Sequence, residues 1–130
     1  MKIAVLITRS ILGLIYIVFG LNFFLHFIPM PTTPPPKQVM DFQMGLMGSG
    51  YFFNVLKVTE IISGIFLLIN KFTALFLVII FPITLNIFLF HAFLAPSGLA
   101  LAAPMIIINL FLGFAYRKYY APVFTASPVV

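Results

Sequence analysis

Two ionisable residues three positions apart lie inside an otherwise apolar stretch, and they are the first residues of this sequence that could do chemistry. Lys57 and Glu60 lie between Tyr51 and Ile69, a segment long enough to span a membrane as a helix. An ionised side chain inside a bilayer costs about 2.5–3.5 kcal/mol on insertion scales, so each one needs a partner. Residues three apart share one helix face, which predicts an ion pair that points into the protein. Such a pair either fixes the rotation of its helix or takes part in proton or ligand binding.

A third charged residue, Arg9, lies in the first apolar segment of the chain. It shares a helix face with Gly13 and Tyr16, and small residues on such a face permit close contact with a neighbouring helix. Two interpretations of Arg9 stay open. Its long side chain extends to the lipid phosphates, or it reaches Glu60 and forms a network with Lys57.

Two histidines and two asparagines lie at similar depth in the first and third apolar segments. Asn22 and His26 are one helical turn apart, and Asn86 and His91 lie in the outer half of the third segment. These histidines could bond water, headgroups or the asparagines, or donate to the carbonyl of a quinone headgroup. Haem ligation would need both rings to converge across the bundle. The candidate ligand-binding residues are therefore Lys57, Glu60, Arg9, Asn22, His26, Asn86 and His91.

Other common chemical sites are missing from the sequence. It has no cysteine, which excludes disulfides, thiolate metal sites and cysteine nucleophiles, and we predict no metal site. Met40, Met44 and Met47 follow spacings of four and three, which predicts one face of a short helix at the membrane interface. Thioethers can bind Cu(I), but such stripes more often pack or face lipid.

The elements that must position these residues are membrane-spanning helices. The chain is 63% hydrophobic and 7% charged over 130 residues, a composition far outside that of soluble proteins. Four segments are long enough to span the bilayer, at about 4–28, 51–69, 72–94 and 99–116. Each has one small or polar face, which in the fourth includes Ala102 and Asn109. We predict an all-α integral membrane four-helix bundle, a single domain over residues 1–130, with a short extracytoplasmic interfacial segment between helices 1 and 2.

The basic residues predict the orientation of the bundle. With four spans, Lys2, Lys71, Arg117 and Lys118 fall on one side of the membrane and only Lys37 falls opposite. Basic residues collect on the cytoplasmic side, so both termini are expected in the cytoplasm. The formal charge of +5 is scattered between apolar runs rather than clustered, which argues against a nucleic-acid partner.

Three stretches of the chain also carry a family resemblance. They are RSILG from Arg9 with the later Phe19-Gly20, LKVTEIISG from Leu56, and NIFLFHAFLAPSG from Asn86. Together, over nearly the whole chain, they resemble the DoxX family of small bacterial membrane proteins. The resemblance implies four transmembrane helices and, in some members, association with quinol oxidase, thiosulfate:quinone oxidoreductase or oxidative-stress complexes.

The resemblance supplies no catalytic motif that could be transferred residue by residue, and fold likeness alone does not supply one. We therefore expect an accessory or anchoring subunit of a quinone-linked oxidoreductase complex in the cytoplasmic (inner) membrane, with quinone as its candidate ligand. Any catalysis would belong to the complex. Oxidoreductase subunits and a second copy of the chain are the expected protein partners, besides lipid. The alternative is a non-enzymatic membrane scaffold or a small-solute transporter.

Overall fold

Every regular element of the protein is a helix in the computed structural model, which describes residues 1–130. The five α-helices are α1 Lys2–Leu25, α2 Lys37–Met47, α3 Phe52–Ile69, α4 Thr73–Phe93 and α5 Leu99–Ala115. A 3₁₀ turn, Pro96–Gly98, joins α4 to α5, and two more follow α5. Four helical segments are long and apolar enough to cross a membrane: α1, α3, α4, and α5 together with the 3₁₀ turn that precedes it, Pro96–Ala115. This confirms the predicted all-α four-helix membrane bundle. A helix suits lipid because it satisfies its backbone hydrogen bonds internally.

The end of α1 differs from the prediction, whereas α3, α4 and α5 begin and end within one residue of their predicted bounds. The first helix stops at Leu25, not at residue 28, because His26 takes a left-handed conformation with φ 52°. The Asn22 side chain then accepts a hydrogen bond of 2.8 Å from the backbone N–H of Ile28. His26 is therefore the residue that ends α1, and its backbone N–H donates a hydrogen bond of 2.8 Å to the carbonyl oxygen of Asn22, one helical turn before it.

The buried seam of the bundle follows the predicted small and polar faces. On α1 its residues are Arg9, Leu12, Gly13, Tyr16 and Gly20. On α3 they are Glu60, Ser63, Gly64 and Leu67. The outward faces carry large apolar side chains, such as Leu6, Val55 and Ile107, which are exposed in the monomer and suited to lipid contact.

Two contacts fix which helix ends lie together. Arg9, near the start of α1, donates to the carbonyl oxygens of Leu67 and Leu68 at the end of α3. The Tyr116 hydroxyl, after α5, lies 3.5 Å from the side-chain oxygen of Asn70. Both chain termini and the α3–α4 turn therefore occupy one end of the bundle, and α2 and the α4–α5 turn occupy the other.

Helix α2 lies against this second end with two different faces. The residues of its inner face follow the spacing i, i+3, i+4 and i+7 from Val39, which is buried. On this face the centre of the Phe42 ring lies 5.5 Å from the centre of the Phe90 ring on α4. Its outer face exposes Met40, Met44 and Met47, as their spacing predicts. The methionines therefore project away from the bundle.

Candidate ligand cavity between α2, α3 and α4

A cavity of about 520 Å³ lies between α2, α3 and α4 at the end of the bundle opposite the chain termini. That volume is within the range of small-molecule sites, roughly 300–1,000 Å³. Its walls are largely apolar and rich in aromatic rings, including Phe42, Phe53 and Phe90. Its polar lining residues are Gln43, Lys57, Glu60, Asn86 and His91. The structure therefore brings four of the seven predicted site residues to one cavity.

Helix α3 contributes the ion pair. Lys57 Nζ lies 3.1 Å from Glu60 Oε2, and the exposed fraction of the side chain is 21% for Lys57 and 2% for Glu60. The pair points inward because α3 turns its Gly64 side toward α1 and its bulky residues, such as Val58, toward the outside. One N–H of the ammonium group is used by Glu60, which leaves two donors for a ligand.

His91 is held in place by the turn that follows α4. Its Nδ1 lies 3.1 Å from the carbonyl oxygen of Ala95. The ring also packs on Gly98, where an added Cβ would lie within 3 Å of three ring atoms. A larger residue at position 98 would therefore displace the ring from its place at the cavity wall.

Asn86 lies five residues before His91 on α4, and it also lines the cavity. Its Nδ2 donates a hydrogen bond of 2.9 Å to the carbonyl oxygen of Pro82. Both side chains line the cavity although five residues separate them, because a cavity of this size extends around more than one line of residues on the helix.

Arg9 does not join this site, and both predictions for it are wrong. It is 6% exposed, so it does not extend to the lipid phosphates, and it bonds α3 carbonyl oxygens rather than Glu60. Its Nη1 donates to Leu67 and, over 3.1 Å, to Leu68. These are among the last four carbonyl groups of α3, which have no partner within the helix and carry the negative end of its dipole. Arg9 therefore caps α3.

Asn22 and His26 also lie away from the cavity. Asn22 closes the end of α1 through its bond to Ile28, and His26 is exposed at that end. Because only His91 lines the cavity, the two histidines do not meet there as haem ligation would need. The structure contains no group of three or more His, Asp or Glu side chains that could hold a metal ion.

A buried chain of hydroxyl and amide groups links α1, α4 and α5, and the sequence predicted only part of it. The Tyr16 hydroxyl bonds Thr84 Oγ1, which lies 2.8 Å from Asn109 Oδ1. Tyr16 and Asn109 belong to the predicted polar faces, whereas Thr84 was missed. Its signal is its spacing of four and seven residues from Ile80 and Leu77, which are both buried on α4.

The cavity-facing side of α2 was missed as well. The sequence indicated its methionine face, but Phe42, Gln43 and Leu46 line the cavity. The available signal was their spacing of three, four and seven residues from Val39, which places all four residues on one helix face. It is weak in a short segment, because an 11-residue helix can present an apolar residue on either side.

Comparison with known proteins identifies a family and no individual relative. The family model of DoxX matches residues 4–92, about two thirds of the chain. The match runs from α1 almost to the end of α4, so it contains all seven predicted site residues. It stops before α5, whereas the resemblance was expected to cover nearly the whole chain. No curated protein and no solved structure matches the chain.

Proposed function

Because this chain belongs to the DoxX family, we propose that it is an accessory membrane subunit of a quinone-linked redox complex. The cavity between α2, α3 and α4 holds the quinone-type headgroup. The observation that carries the proposal is the lining of this cavity, where aromatic walls surround an inward ion pair, an amide and an imidazole. A quinone headgroup is a flat apolar ring with polar oxygens at its edge, and it needs such walls with a few polar groups.

The chain's own groups suit binding and orientation of this headgroup. Lys57 keeps two N–H donors beyond the one directed to Glu60, and these can bond a headgroup oxygen. The ammonium and carboxylate groups balance each other's charge, so the cavity accepts a neutral ligand without leaving an unpaired ion. Oxidation and reduction belong to partner subunits in this proposal, and this chain holds the ligand beside them.

The proposed location is the cytoplasmic membrane, with both termini in the cytoplasm. The bundle end that contains both termini also carries Lys2, Lys71, Arg117 and Lys118, and the positive-inside rule assigns such an end to the cytoplasm. The cavity then lies in the outer half of the membrane, beneath α2.

A binding measurement on two matched variants tests the proposal. Decylubiquinone binds the purified wild-type protein in nanodiscs, and Glu60→Gln weakens that binding by about tenfold, because it leaves the Lys57 charge unbalanced in a cavity that takes a neutral ligand. Asp41→Asn is the control, since Asp41 is the only other acidic residue and its ion pair with Lys37 is exposed. Absence of decylubiquinone binding to the wild type rejects the ligand. Loss of stability in Glu60→Gln with unchanged binding assigns the pair to structure alone.

A second measurement separates a complex subunit from the alternatives. Affinity purification of the chain in mild detergent recovers a quinone-reactive oxidoreductase if the proposal holds. Recovery of a plain homo-oligomer contradicts it and favours a scaffold. Uptake of a solute by liposomes above that of empty vesicles favours a small transporter.

A further inference from the structure

One hydrogen-bonding residue of α4, His91, lines the cavity in a fixed tautomer. We infer that the cavity binds the reduced, hydroxyl-bearing form of an aromatic headgroup in preference to the dicarbonyl form. This inference rests on the proposed function, since it concerns the same cavity. The group that selects the reduced form is His91 Nε2.

The contact between His91 and Ala95 decides which ring nitrogen is free. A backbone carbonyl oxygen only accepts hydrogen bonds, so the His91 Nδ1 that lies 3.1 Å from it carries the proton and donates. In the neutral ring the other nitrogen, Nε2, is then an acceptor. Rotating the ring by half a turn would place carbon against the Ala95 oxygen and lose this bond. The turn therefore fixes His91 as an acceptor toward a ligand.

Asn86 does not select in the same way. The Pro82 carbonyl oxygen only accepts, so the amide nitrogen must face it, at 2.9 Å. The amide oxygen Oδ1 and the second N–H of Nδ2 are then left for a ligand, and Asn86 can bond either redox form. His91 is therefore the residue of α4 that offers a ligand an acceptor alone.

The two redox forms of a quinone-type headgroup differ in what they can give to the His91 acceptor. The dicarbonyl form has acceptors only, so it would leave an acceptor facing His91 Nε2 and a polar group without a partner. A phenolic hydroxyl donates to Nε2 and can still accept from Lys57. Lys57 and Asn86 can donate to either form and do not discriminate, which assigns the selection to His91.

The test compares two ligands that differ by a single hydrogen-bond donor. Binding of para-nonylphenol and of its O-methyl ether to the wild-type protein in nanodiscs is compared, together with decylubiquinol and decylubiquinone under anaerobic conditions. The phenol binds about tenfold more tightly than the ether, as expected for one hydrogen bond to a group that otherwise stays unpaired. Decylubiquinol exceeds decylubiquinone by a similar factor.

Variants test whether His91 sets the preference for the phenol over the ether. His91→Phe keeps a ring and removes both nitrogens, and it lowers the phenol-to-ether ratio toward one. His26→Asn is the control, because position 26 lies outside the cavity and asparagine tolerates its left-handed backbone. That variant keeps the wild-type ratio. If His91→Phe does not fold, His91→Gln provides the second variant, because its amide offers a ligand both a donor and an acceptor, and the wild-type ratio is decisive by itself.

The outcomes separate the two proposals. Equal binding of phenol and ether, or tighter binding of decylubiquinone than of decylubiquinol, overturns the redox preference and leaves the quinone site intact. Absence of binding by every compound overturns both. A preference that survives unchanged in both His91→Phe and His91→Gln overturns the assignment to His91.

Discussion

Gly13 of α1 and Gly64 of α3 face each other with no space for a side chain on either helix. A Cβ added to Gly13 would lie 2.8 Å from the carbonyl oxygen of Gly64, and one added to Gly64 would lie 2.6 Å from that of Gly13. Backbone on both sides blocks these positions, so no side-chain rotation can relieve the overlap. Small residues at such crossings are what allow membrane helices to pack closely. This crossing lies one turn from Glu60 along α3, so it also sets the position of the ion pair.

The crossing predicts the effect of one added methyl group. Gly13→Ala should force α1 and α3 apart and lower the free energy of unfolding by about 1–3 kcal/mol, as overpacking does in well-packed cores. Thermal unfolding in mild detergent measures it. Gly45→Ala is the matched control, because nothing lies within 4 Å of its added Cβ. A loss of equal size in both variants would show that the crossing is not as tight as the structure describes.

Arg9 predicts a specific loss at the end of α3. Arg9→Met keeps an apolar stem of similar length but removes the donors to Leu67 and Leu68. We expect a loss of about 2–3 kcal/mol because one buried and one part-buried carbonyl lose a charged partner. Hydrogen exchange at the last turn of α3 should rise. Arg117→Met, which removes an exposed arginine, is the control and should change little. Unaltered exchange in Arg9→Met would contradict the capping role.

The unequal burial of Lys57 and Glu60 predicts unequal effects of breaking their ion pair. Lys57→Met leaves the Glu60 carboxylate without its partner at 2% exposure, and it should lower the free energy of unfolding by about 3–5 kcal/mol. Glu60→Gln leaves a lysine that is 21% exposed and better able to reach water, so its cost should be smaller. The double variant should recover most of the loss in Lys57→Met. Additive losses in a double-mutant cycle would mean that the two residues do not interact.

The hydroxyl chain from α1 to α5 predicts a graded response. Tyr16→Phe removes one hydroxyl and leaves Thr84 bonded to Asn109, so the loss should be about 0.5–1.5 kcal/mol. Thr84→Val removes the central member and leaves both neighbours unpaired in the core, which should cost more. The measurement is the same thermal unfolding in detergent. A larger loss in Tyr16→Phe than in Thr84→Val would show that Thr84 is not the central member of this series of hydrogen bonds.

The proposed orientation predicts which positions a membrane-impermeant thiol reagent reaches. The chain has no cysteine, so Lys37→Cys and Lys71→Cys each introduce a single reporter. In intact cells Lys37→Cys should be labelled from outside, and Lys71→Cys only after the membrane is opened. The opposite pattern would invert the topology and place the cavity in the cytoplasmic half.

The sequence by itself determined the membrane class, the four spans and the inward faces of the helices. Apolar runs of about 20 residues and 3.6-residue periodicity are local properties, and lipid leaves the backbone few alternatives to a helix. The pairing of Lys57 with Glu60 was readable for the same reason, because three residues along one helix fix their proximity.

Only the tertiary structure decided which of the polar residues meet. Asn86 and His91 join the ion pair across α3 and α4, while Arg9 turns to the carbonyls of Leu67 and Leu68. These outcomes depend on the rotation and crossing of separate helices, which close contacts such as the glycine crossing set and which no single segment encodes. The acceptor role of His91 depends on the turn after α4, because the ring takes its tautomer from a backbone oxygen that only the folded chain brings to it.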